Sequence, residues 1–252
     1  MGEILYHRDE DAYCKKIALN LKQCGIKTDM ITGQINYLPK FDMKLRCNAL
    51  YLLRHGETEA SVTNRFMGRN SLNSKLIDEA KYTLKETAEE INKLQFDVVL
   101  YSDIPRVKET TEIIKKYVTD DTYFVEIPWM LGIDNTGWEG KTKDELQGMD
   151  IEDFYQREIV HNIFAKSSKG TSWGTVLDCC LKFVLYINKY FADKKILLVS
   201  QGSVFTGLQI VLHLLESPWE KYDAYKLFSL TEGSRQLQYG RLQLLYESIK
   251  NS

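Results

Sequence analysis

Short, wholly apolar runs alternate along this chain with longer stretches in which apolar residues recur every third or fourth position. The runs are the mark of strands buried on both faces, and the spaced stretches that of helices with one packed side. Ala49 to Leu53, Phe96 to Tyr101, Tyr123 to Ile127 and Ile196 to Ser200 read as strands. Helices are expected near 74–94, 104–118, 172–192 and 203–216, the last ending before Pro218. Residues 59–72 form a polar loop, and 129–170 read as irregular, with short helices at 141–148 and 151–164. Strands around 226–231 and 236–247 close the chain. This alternation predicts an α/β fold, a three-layer sandwich with a mainly parallel sheet flanked by helices on both faces.

The first 47 residues stand apart. Glu3 to His7 reads as a strand. Asp9 caps a helix with Tyr13, Ile17 and Leu21 every fourth residue and Gly25 as its stop, and Ile26 to Ile31 reads as a second strand. A unit of this size is too small to be stable alone, so it is either an extra lobe on the main domain or the tail of a larger neighbour. We read it as the extra lobe, an N-terminal β-α-β-like extension over 1–47, with the main domain over 48–252.

Composition narrows the function classes. Of 252 residues, 44% are hydrophobic and 27% charged, as in an ordinary soluble globular protein. The net charge of −2 and the lack of a Lys/Arg block argue against nucleic acid as a partner. No run approaches the roughly 20 apolar residues of a membrane span, and the N-terminus lacks the apolar core of a secretory signal. Five cysteines without CxxC spacing and four scattered histidines argue against a metal site and fit reduced thiols in the cytoplasm. Cys179-Cys180 lies within a helix and reads as packing. Trp129, Trp138 and Trp173 read as core anchors. Oligomeric state stays open.

Three predicted strands end in polar residues: Arg54-His55-Gly56, Ser102-Asp103 with Arg106 just beyond, and Ser200-Gln201-Gly202. In a parallel sheet these termini share one edge, where ligands of open α/β sheets bind. A histidine among arginines suits a phosphate dianion, because guanidinium forks match its oxygens. Arg65, in the polar loop, is a further candidate.

Read together, these segments resemble the histidine phosphatase superfamily in its phosphoglycerate-mutase-like branch. Arg54-His55-Gly56-Glu57-Thr58-Glu59 matches its RHGET signature, and Asn64 to Gly68 resembles its RFxG segment. Ser102-Asp103 with Arg106 and Thr110, Trp138-Glu139-Gly140 followed by Asp144-Glu145-Leu146, and Val199-Ser200-Gln201-Gly202 resemble its three further segments in order. The resemblance implies a phosphatase for a small phosphorylated metabolite, without metal or other cofactor. It makes His55 the residue that takes up the phosphoryl group as phosphohistidine and makes Arg54 and Arg106 its clamp. The substrate-contacting positions it implies are Gly56, Thr58, Ser61, Arg65, Ser102 and Gly202.

Two positions depart from that pattern. Gln201 stands where the family has a second histidine, and Gly132 where it has the acid that protonates the leaving oxygen. Asp134 is the first candidate for a substitute acid, ahead of Glu57, Glu59 and Asp103, and His161 is the first candidate for a substitute histidine, ahead of His213 and His7. Three readings follow: a phosphatase with diverged or weakened chemistry, a catalytically silent phosphate-ligand binder or partner-interaction domain, and a phosphoryl-transfer site whose substrate supplies its own acid.

Overall fold

The computed structural model describes residues 8–23, 25–30, 33, 35–37, 45–70, 74–119, 121–160, 162–212 and 237–248. Helix α1 (Arg8–Gln23) leads into an antiparallel pair, β1 (Lys27–Thr28) and β2 (Ile35–Tyr37). The chain then runs through β3 (Ala49–Arg54), α2 (Glu59–Val62), α3 (Asp78–Leu94), β4 (Val98–Tyr101), α4 (Pro105–Lys115) and β5 (Tyr123–Glu126). There follow α5 (Lys143–Gln147), α6 (Glu152–Glu158), α7 (Trp173–Tyr190), β6 (Lys195–Ser200), α8 (Gly202–Val211) and β7 (Leu242–Glu247).

Among the described residues, five strands form the main sheet in the order β5-β4-β6-β3-β7. The first four are parallel; β7 runs antiparallel along β3. Strand side chains alternate between faces, and the alternation builds three layers. Leu50, Leu52, Leu100, Ile196 and Leu198 share one core with Ile17 of α1, Phe183 of α7 and Phe205 of α8. Leu53, Val99, Leu197 and Val199 point the other way, onto Ala88 and Ile91 of α3 and Val107 and Ile114 of α4. Because both faces are covered, these strands read in the sequence as unbroken apolar runs.

Helix ends follow local chemistry. Pro105 opens α4, where its missing N–H costs nothing, and the Ser172 hydroxyl caps α7 by accepting from the Thr175 amide at 3.3 Å. Gly25, at φ 79°, takes the left-handed turn that ends α1. The four-residue α2 interrupts the expected polar loop. Its cause is a capping box in which the Thr58 and Ser61 side chains exchange bonds with each other's backbone N–H. The expected helix at 151–164 stops at Glu158. Helix α1 joins the main core through Ile17 and Leu21 and is tied to α7 by Asn20 Nδ2, which donates to Asp178 Oδ1 at 2.9 Å. The expected strands at 3–7 and 226–231 lie outside the described residues, as do His7, His161 and His213.

Register levels the strand ends. Arg54 pairs with Ser200, and Tyr101 with Val199, so β3, β6 and β4 finish together along one edge. No helix among the described residues is long and apolar enough to cross a membrane.

Candidate active site

The His55 amide extends the β3–β6 ladder by donating to the Ser200 carbonyl at 3.0 Å, which fixes its backbone against the neighbouring strand end. The ring is 3% exposed. Nδ1 lies 2.8 Å from the Gly56 carbonyl oxygen, and Nε2 lies 3.3 Å from Arg106 Nε. A carbonyl only accepts and a guanidinium only donates, so these partners assign the proton to Nδ1 and the lone pair to Nε2. Burial first, then the charges of Arg106 and Arg54, hold the imidazole far below its ordinary pKa, with the Gly56 bond opposing them in part. The ring is therefore held neutral, and its unprotonated nitrogen faces an arginine. An imidazole ¹⁵N titration should show no protonation of His55 near the ordinary midpoint of about 6.5. The unfolded chain takes up that proton as pH falls through the same value while the folded chain does not. The site thus withdraws stability between that value and its own depressed pKa.

Arg106 sits in the first turn of α4, 3% exposed, and its Nη1 donates to the Gly68 carbonyl at 3.4 Å. Burial lowers its pKa to about 10, which still leaves it charged at neutral pH. Arg54 donates through Nη1 to the Leu237 carbonyl at 2.9 Å and stacks on the Tyr239 ring, with Cζ 3.5 Å from its centroid. Neither arginine has a carboxylate partner among the described residues.

Four buried polar atoms lack a hydrogen-bond partner among the described residues: Arg54 Nε, Ser102 Oγ, Ser200 Oγ and Gln201 Oε1. All belong to the ends of β3, β4 and β6. Orphaned buried polar groups are rare and costly, and their gathering at one sheet edge marks a place built to receive a polar ligand.

A cavity of about 310 Å³ opens there, lined by His55, Arg54, Arg106, Gln201 and Gly202. It also takes in Arg65, Arg157, Glu158, Trp173 and Tyr239. Four arginines face one carboxylate among these residues. His55, Arg54, Arg106 and Gln201 thus converge as the strand ends suggested. Arg65 reaches the cavity but is also engaged with the Gly140 carbonyl and with Glu145 Oε2 at 3.2 Å.

Other candidates fall elsewhere. Thr58 and Ser61 serve the α2 cap and do not line the cavity. Gly56 works through its backbone, donating to Thr110 Oγ1 at 3.0 Å in a spot where a Cβ would crowd Leu84 and Leu76. Ser102 lies fully buried beneath the edge. Asp134 does not line the cavity either: its Oδ1 accepts from the Arg69 amide, the Thr136 amide and the Thr136 hydroxyl, so the carboxylate organises its own loop.

The two departures from the family pattern meet in space. A Cβ built on Gly132 would lie 1.7 Å from Gln201 Oε1 and 2.8 Å from Ser203 Oγ. The Gln201 amide fills the volume that a side chain at 132 would need.

Sequence reasoning missed Arg157, Glu158 and Tyr239, while Trp173 both packs on the core and lines the cavity. Arg157 is 4% exposed, donates to Asn135 Oδ1 at 2.7 Å and to Glu158 Oε1 at 2.8 Å, and lies 4.3 Å from the Trp138 ring centroid. A lone arginine in a short helix carries no sequence signal of such burial.

The profile of the histidine phosphatase superfamily, branch 1, matches residues 50–245. The chain belongs to that family. As a histidine phosphatase by family, it is 22% identical over 160 residues to a Bacillus subtilis (strain 168) protein called uncharacterized phosphatase PhoE, covering 64% of this chain and 75% of that one. Among solved structures it resembles the Entamoeba histolytica phosphoserine phosphatase in complex with 3-phosphoglyceric acid (24% identity, TM-score 0.59, 77% of this chain and 88% of that one). A mycobacterial glucosyl-3-phosphoglycerate phosphatase aligns at 18% identity and TM-score 0.59, over 79% and 91% of the two chains. At such identities the structural likenesses carry the histidine phosphatase fold, while the family match carries the enzyme class.

Proposed function

We propose that the protein hydrolyses a small phosphorylated metabolite through a phosphohistidine at His55. The observation that carries this reading is the neutral imidazole whose unprotonated Nε2 faces the buried Arg106, in a cavity where neither Arg106 nor the partly buried Arg54 has a carboxylate partner among the described residues. Nε2 attacks phosphorus as the bond to the leaving oxygen breaks. Arg54 and Arg106 take up charge on the phosphoryl oxygens in the planar transition state. The 3.3 Å contact between Arg106 and Nε2 marks where the phosphoryl group inserts. Gln201 adds a neutral amide, and water then releases phosphate from the histidine.

Mixing enzyme with ³²P-labelled phosphate esters and quenching within one turnover should trap acid-labile, base-stable label on His55, with phosphate release following. Tight binding with neither label nor release would instead favour a silent phosphate-binding domain, the reading to which the loss of two catalytic groups points.

A further inference from the structure

Breaking a phosphorus–oxygen bond to an alkyl group leaves an alkoxide, which needs a proton as it departs. A positioned acid contributes about 10²–10⁴ in rate to such a step. The described residues give this site no free one. Glu158 is the single carboxylate lining the cavity, and its two oxygens already face Arg157 Nε at 2.8 Å and Lys143 Nζ at 3.7 Å, which leaves it an acceptor. Asp134 lies outside the cavity lining, with Oδ1 held by the Arg69 amide and by Thr136, and Asp103 pairs with Arg69. Tyr239 packs on Arg54 and beside the imidazole, ring centroids 5.4 Å apart, on the flank of the nucleophile. An in-line displacement puts the leaving oxygen on the opposite side of phosphorus. At position 132 the Gln201 amide occupies the space for any acid, and an amide N–H donates a hydrogen bond without giving up its proton.

We infer that the pocket is built for phosphoryl groups carried on weakly basic oxygens, as in acyl, enol or phenolic phosphates, and not for alkyl phosphates. This rests on the hydrolase reading above and narrows its substrate class. In the first step the Nε2–phosphorus bond forms and the phosphorus–oxygen bond breaks, its electron pair departing as carboxylate, enolate or phenolate, stable without a proton. Nδ1 keeps its proton, donated to the Gly56 carbonyl, throughout. In the second step water oxygen attacks phosphorus and the nitrogen–phosphorus bond breaks, returning its pair to Nε2. The water protons leave with inorganic phosphate, so neither step calls for an external acid.

The test is kcat/KM across substituted phenyl phosphates, phenyl phosphate, acetyl phosphate and glycerol phosphate. This ratio covers events up to leaving-group departure, so slow dephosphorylation does not mask the trend. A steep fall with leaving-group basicity is expected, with phenyl phosphate at least about a hundredfold above glycerol phosphate, the lower bound of a missing acid's contribution. Acetyl phosphate lying above the line that the phenyl phosphates set identifies the acyl source, and lying below it the phenolic one. Rates within tenfold of one another across the series would overturn the inference. Tyr239→Phe should leave the slope unchanged, since it keeps the ring on Arg54; a steeper slope in that variant would reveal a phenol proton in use and overturn it too. Absence of labelled His55 with every substrate, acetyl phosphate included, strikes the hydrolase reading itself, whereas turnover with a flat series strikes only the substrate class.

Discussion

His55→Ala should lower phosphate release by roughly four orders of magnitude or more, because the variant loses the atom that carries the phosphoryl group between the two steps. Binding should persist. Arg54 and Arg106 remain, and Arg106 loses its contact with Nε2, so inorganic phosphate should still protect the variant against thermal unfolding. Steady-state release on phenyl phosphate together with a melting shift on added phosphate checks both parts. A variant that keeps more than about one part in a hundred of wild-type turnover would mean that phosphoryl transfer bypasses this nitrogen.

The second large effect concerns Gly132 and Gln201 as a pair. Gly132→Glu alone should lower activity, because its Cβ would fall 1.7 Å from Gln201 Oε1 and would push the amide out of place. Gln201→His alone restores a cation without an acid. The double variant should turn over glycerol phosphate roughly 10²-fold or more faster than either single one, the scale of general acid catalysis. Residues in contact do not add, and a double-mutant cycle should return strong coupling. Additive effects would show that the two positions do not share the volume that the backbone geometry assigns to both.

Much of this was legible in the residues because of where the physics is local. Leu50 to Leu53 and Ile196 to Val199 are buried from both sides, so sequence alone places them at the sheet centre, and a parallel sheet then forces Arg54, Ser102 and Gln201 to one edge. Thr58 and Ser61 were misassigned because a hydroxyl beside a catalytic motif looks the same whether it caps a helix or meets a ligand. Asp134 was drawn in by its distance from Gly132 along the chain, yet the Thr136 amide and hydroxyl beside it and the Arg69 amide from another loop claim its Oδ1 first. Arg157 and Glu158 reach the cavity from the last turn of the short helix α6 and Tyr239 from the loop before β7, and where those pieces pack depends on contacts with no periodic trace. The steric link between Gly132 and Gln201 spans 69 positions and needed coordinates to be seen.

The pairing of β7 with β3 has a consequence for how the enzyme comes into being. The strand bearing His55 is flanked on one side by β7, which follows α8 in the chain. The Gly240 amide reaches the carbonyls of Arg54 and His55, and the stretch around it delivers both the Leu237 carbonyl and the Tyr239 ring to Arg54. A nascent chain released only as far as α8 can hold the central strands but cannot orient that guanidinium. Competence therefore waits for residues 237–247, and stalled or clipped products ending before residue 237 should fold in part yet remain inert.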